Sequence, residues 1–123
     1  MRTLQETFDY VVNKIVEQGG QCMQNGHCVY GNNEEKHCAI GWLFDHNNKS
    51  LMEYTGGLNG LINSSFSDFV PDIVKSNLTF FDLLQSFHDT LKRTRRHSVC
   101  TQMHGLNVDI SNPNVQKWID MGN

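Results

Sequence analysis

Apolar positions fall into blocks of distinct spacing, and the spacing predicts the elements. Leu4, Phe8, Val11, Val12 and Ile15 recur every three or four residues, which places them on one face of an N-terminal helix. Thr3 followed by Glu6 supplies a capping box, in which each side chain satisfies an orphan backbone donor, and Gly19-Gly20 marks the end. QCMQ and HCVY then flank Asn25-Gly26, the dipeptide that most readily adopts a type I′ turn, so a small β-hairpin is expected. A two-residue turn sets Met23 opposite Cys28 and Cys22 opposite Val29, leaving Cys22 and Cys28 on opposite faces.

After the polar loop GNNEEK, the run CAIGWLF reads as a short buried helix that ends before Asp45-His46. Residues 50–75 carry short apolar clusters broken by Gly56-Gly57, Gly60 and Pro71, which predicts brief helical turns and irregular chain. The clearest helix is LTFFDLLQSFHDTLKR, capped by Thr79 and Asp82, with Phe80, Leu83, Leu84, Phe87 and Leu91 on one side and the basic run at its end. VCTQM and LNVDI each read as a short strand, and Ser111 or Asn112 before Pro113 opens a last helix carrying Val115, Trp118 and Ile119. The expected fold is α+β: a mainly helical single domain over residues 1–123 with a small β-hairpin.

A chain of 123 residues can bury a core without a covalent staple. It contains no apolar run near the ~18 residues of a membrane span, and MRTLQETFDY lacks the apolar stretch of a secretion signal. The expectation is a cytoplasmic protein with no membrane partner, its four cysteines reduced. A net charge of -3 argues against non-specific nucleic-acid binding. Lys92, Arg93, Arg95 and Arg96, however, concentrate four cations in five positions. At the end of a helix such cations complement its dipole. Exposed, they are candidate binding residues for an acidic partner, whereas the run lacks the interleaved aromatics with which proteins stack on bases.

Three chemistries compete for the stretch from His27 to Phe44. Cys22, Cys28, His37 and Cys38 are soft or imidazole ligands that could hold zinc, but no paired C-x2-C knuckle is present and the expected cofactor set is empty. Cys38 at a helix start would favour thiolate, with His88 and Asp89, or His104, as base and orienter; the pattern is similar to that of papain-like cell-wall peptidases. The third reading is packing: Ala39 is the chain's single alanine and Gly41 follows two positions later, so this segment lies against another backbone, with Cys38 buried and Tyr30 roofing the hairpin. Packing accounts for more of the residues, and no catalytic residue is favoured. His88, at the margin of the apolar stripe, reads as a hydrogen-bonded boundary residue.

Cys28-x-Tyr30-Gly31 and Cys38-Ala39-Ile40-Gly41-x-Leu43, together with Leu84-Gln85 and His88-Asp89, resemble the motifs of a family of small uncharacterised proteins encoded by bacteriophages and bacterial genomes. The resemblance implies a non-enzymatic accessory protein that binds and modulates a host macromolecule, a host protein first and nucleic acid second, in host takeover or counter-defence. The rival readings are a Cys38-dependent hydrolase and a zinc-stabilised regulatory or nucleic-acid-binding domain.

Overall fold

A computed structural model describes residues 3–20, 23, 24, 27, 28, 30, 31, 36–44, 47–54 and 57–123. Helix α1 spans Leu4–Gln18, and two short strands, β1 (Met23–Gln24) and β2 (His27–Cys28), follow it. After these come short helices α2 (Lys49–Met52), α3 (Leu58–Ile62) and α4 (Asp72–Lys75), and then the longer α5 (Leu78–Asp89), α6 (Arg93–His104) and α7 (Pro113–Asp120). Single 3-10 turns occupy Gly41–Leu43 and Ser67–Phe69.

The fold is all-α, which corrects the α+β expectation. The described β structure is one antiparallel pairing of two residues with two, Met23 opposite Cys28 and Gln24 opposite His27, plus an isolated bridge between Gly31 and His37. Neither is long enough to present a face on which helices could form a layer. The expected turn at Asn25-Gly26 and the pairing of Cys22 with Val29 lie outside the described residues.

Helix α1 is built as its sequence dictates. Thr3 Oγ1 accepts from the Glu6 amide while Glu6 accepts from the Thr3 amide, and Gly19 closes the helix with φ 78°. Its stripe of Phe8, Val11, Val12 and Ile15 is fully buried, each side chain contributing about 1.5–3 kcal/mol relative to exposure. The Gln5 amide clamps α1 to the approach of α7, donating to the Asp109 carbonyl at 2.8 Å and accepting from the Asp109 amide at 2.7 Å. Asn112 caps α7 through the Asn114 amide, with Pro113 next.

The second half departs from expectation in three ways. Helix α5 begins at Leu78 without a Thr79 cap, because Asn77 precedes it and turns its own amide back to the Ile73 carbonyl. It ends at Asp89 rather than running into the cations; Thr90 is extended and Leu91 is left 56% exposed. The basic run therefore opens α6 instead of closing α5. VCTQM, expected as a strand, lies within α6, where Arg96, Val99, Cys100 and Met103 form the buried i, i+3, i+4, i+7 face. LNVDI is the non-helical link to α7, entered through Asn107 at φ 68°.

The segment CAIGWLF makes only the Gly41–Leu43 turn, so Cys38 does not begin an α-helix. A Cβ on Gly41 would stand 2.0 Å from the Tyr30 carbonyl oxygen, which leaves room there for hydrogen alone. Tyr30 itself is buried, its ring 5.6 Å from Phe44 and 5.8 Å from Tyr54. Cys38, Ala39, Ile40 and Phe44 join Phe80, Leu84 and Phe87 in one core.

Candidate functional site

Two places collect the residues singled out by sequence. The first is where the Cys38–Leu43 segment crosses α5. The Ile40 amide donates to Gln85 Oε1 at 3.3 Å, and the Gln85 side-chain amide reaches Asp89. His88 Nδ1 donates to Asp89 Oδ1 at 2.7 Å. Asp89, whose side chain is 38% exposed, is thus also a partner within the fold. His88 is fully buried, not a boundary residue, and its ring lies nearly parallel to that of Trp118, 13° apart. Burial above all, with the Cys38 thiol, Tyr54 and the carboxylates of Asp89 and Asp82 adding to it, raises the Tyr30 hydroxyl well above the usual phenol range.

The Cys38 thiol and the Asp89 carboxylate therefore both act on Tyr30, but the arrangement is closed. Cys38 is 0% exposed, and its sulfur accepts the Gly41 amide at 3.2 Å. The third residue of the rival catalytic set, His104, is exposed at the far end of α6 with Nδ1 donating to the Val108 carbonyl. The metal alternative is not assembled either. His37 Nδ1 donates to the Tyr30 carbonyl and its ring packs edge-on against Trp42, Cys22 lies outside the described residues, and no group of three potential ligands clusters among the described residues. Cys100 is also buried, which pushes its thiol up to about 11. Native alkylation followed by peptide mapping should leave Cys38 and Cys100 unmodified until denaturant is added; rapid modification of Cys38 at neutral pH would restore the nucleophile.

The second place is the corner between α5 and α6, where four cations that look alike in the sequence separate into two kinds. Arg96 is 3% exposed. Its Nε donates to the Thr90 carbonyl at 2.7 Å, its Nη1 to the Trp118 carbonyl at 2.6 Å, and its guanidinium lies 3.8 Å from the Trp118 ring centroid. Trp118 Nε1 in turn donates to the Phe87 carbonyl at 2.8 Å. Arg96 thereby satisfies carbonyls at the ends of α5 and α7, where the negative ends of both helix dipoles favour a cation. Expected as a binding residue, it is instead a core residue.

Lys92, Arg93 and Arg95 are exposed. The side chains of Lys92 and Arg95 meet no acid among the described residues, and Arg93 reaches only the Asp120 carbonyl at 3.3 Å. The corner is held by backbone: Asn123 donates to the Leu91 carbonyl at 2.8 Å and accepts from the Arg93 amide at 3.1 Å. Beside the cations stand the exposed apolar side chains of Leu91 and Met121. Sequence reasoning found the cations but missed these two neighbours, because Leu91 continued the α5 stripe on paper.

Comparison of the chain with protein-family models, curated proteins and solved structures finds no match. Among the described residues no helix is long and apolar enough to cross a membrane.

Proposed function

We propose that the protein is a non-enzymatic accessory binder, phage-encoded as the motif resemblance implies, which docks its α5–α6 corner on an acidic, partly apolar surface of a host protein. One observation carries this reading. The first turn of α6 contains Arg93 and Arg95 with Lys92 at the N-cap, no acid, and no side-chain cap. A helix N-terminus carries partial positive charge, so each exposed cation there costs about 0.3–1 kcal/mol where an acid would stabilise. Mutual repulsion adds to the cost. Arg96 recovers its share through buried carbonyls and Arg93 in part through the exposed Asp120 carbonyl, but among the described residues Lys92 and Arg95 have no such compensation, and a local rule broken without structural return marks a functional surface. Leu91 and Met121 favour a protein partner, since they offer apolar area rather than the aromatic faces on which bases stack.

The test is affinity capture from nuclease-treated host lysate with the parent and with the Lys92→Glu, Arg93→Glu, Arg95→Glu triple variant. The parent should retain a stoichiometric acidic protein that salt releases, and the triple variant should retain about tenfold less or worse, the loss expected when complementary charges become repulsive. Equal recovery by both, or recovery of nucleic acid alone without nuclease, would contradict the reading.

A further inference from the structure

Helix α1 carries a second stripe beside its core face: Thr7, Tyr10 and Lys14, spaced i, i+3, i+7. Thr7 and Tyr10 line a cleft of about 540 Å³ with Trp42, Leu43 and, at the start of α4, Pro71, Asp72 and Ile73, and Lys14, one turn beyond Tyr10, is outside that lining but stands by the Tyr10 and Trp42 rings. Clefts that hold small ligands or short peptide segments fall in this size range, about 300–1,000 Å³. We propose that this cleft is a separate binding site, independent of the basic corner, for a short peptide segment presenting a large apolar side chain next to a single carboxylate.

The walls set the apolar requirement. Tyr10, Trp42, Leu43 and Ile73 are each half-buried and all four line the cleft. The Trp42 wall is braced from behind by the edge of the His37 ring, at 4.6 Å between centroids. His37 is itself clamped by Gln18, whose side chain accepts the His37 amide at 3.0 Å and donates to its carbonyl at 2.8 Å. A preformed aromatic wall loses little entropy on binding.

The charges set the rest. Thr7 contributes no polar anchor, because its hydroxyl donates to the Thr3 carbonyl at 2.8 Å. The anchor is Lys14, whose Nζ stands 5.4 Å from the Trp42 ring centroid and 5.8 Å from that of Tyr10. Its carboxylate neighbour Glu17 is 3.8 Å away and 71% exposed, an arrangement a bound acid can displace at small cost. An ammonium held over two aromatic walls selects a carboxylate flanked by an apolar group. Asp72 on the α4 side repels a second acid, which disfavours polyanions such as nucleic acid.

The experiment is an NMR titration of the full chain with the blocked tetrapeptide acetyl-Ala-Glu-Phe-Ala-amide, and with counterparts carrying Lys for Glu or Ser for Phe. The Glu-Phe probe should shift the Trp42 indole and the Tyr10, Leu43 and Ile73 amides saturably at millimolar concentration. Both counterparts should bind about tenfold more weakly, as expected for loss of one anchor. Lys14→Glu should reverse the preference between the Glu and Lys probes, and Lys14→Gln should abolish it with the chain's remaining resonances in place. No saturable shift from the Glu-Phe probe, or an unchanged preference in Lys14→Glu, would overturn the proposal.

Discussion

Replacing Arg96 by methionine should lower the stability of the protein by about 2–4 kcal/mol. Two hydrogen bonds from a charged donor are lost, each worth about 1.5–3 kcal/mol, and they do not add fully because both leave one guanidinium. The carbonyls of Thr90 and Trp118 lose a partner that methionine cannot replace, and the Trp118 ring loses its planar cation. Methionine restores packing, which is why the loss is not greater. Arg96→Lys should fall nearly as far, since a point charge on a flexible stem cannot reach two divergent carbonyls and stack at once. Chemical denaturation decides the matter: an Arg96→Lys protein as stable as the parent would mean that charge alone, not the fork, is needed.

Gly41→Ala should be comparably severe, at about 3 kcal/mol or more, although it adds one methyl group. The cause is space rather than backbone conformation, because the obstructing atoms are the oxygen and carbon of the Tyr30 peptide, 2.0 and 3.0 Å from the added Cβ. Tyr30 cannot retreat freely. Its carbonyl accepts from the Cys38 amide at 3.3 Å and from His37 Nδ1 at 3.2 Å, and its ring is held between Phe44 and Tyr54. The clash would therefore spread into both segments that meet at the cysteine motif. Gly57→Ala is the matched control: a Cβ there meets nothing within 4 Å, and stability should change by less than about 1 kcal/mol. Thermal unfolding of the two variants side by side measures the difference, and equal midpoints would contradict the close approach.

The features legible in the sequence are those set by residues a few positions apart. Thr3 with Glu6, Gly19, and Asn112 before Pro113 act through local hydrogen bonds and local φ, and each occupies the expected place. The buried stripe of α1 follows from spacing, as do Phe80, Leu84 and Phe87 on α5, whereas Leu83 is half-buried, Leu91 is exposed, and Phe81 and His88 are buried beyond the expected face. The pair Ala39 and Gly41 also signalled a backbone crossing correctly, because small side chains at alternate positions have few other uses in a core. What the sequence concealed depends on partners far along the chain. Helix α6 was hidden because one of the four positions on its buried face is an arginine, and nothing near residue 96 reveals that the Trp118 carbonyl will meet it. The same blindness merged four cations into one patch. Likewise the CAIGWLF segment has the composition of a helix but makes a single turn, at Gly41–Leu43, where the Tyr30 backbone passes against Gly41.

Whether the exposed cations are kept for a partner rather than for the fold is tested most directly by denaturant unfolding of the Lys92→Glu, Arg93→Glu, Arg95→Glu protein in the absence of any partner. Placing acids at the N-terminus of α6 should leave stability unchanged or raise it by about 1 kcal/mol or more at low salt, with the gain shrinking as salt is added. A loss of several kcal/mol, like that expected for Arg96→Met, would show that these three residues hold the structure together and would contradict the account.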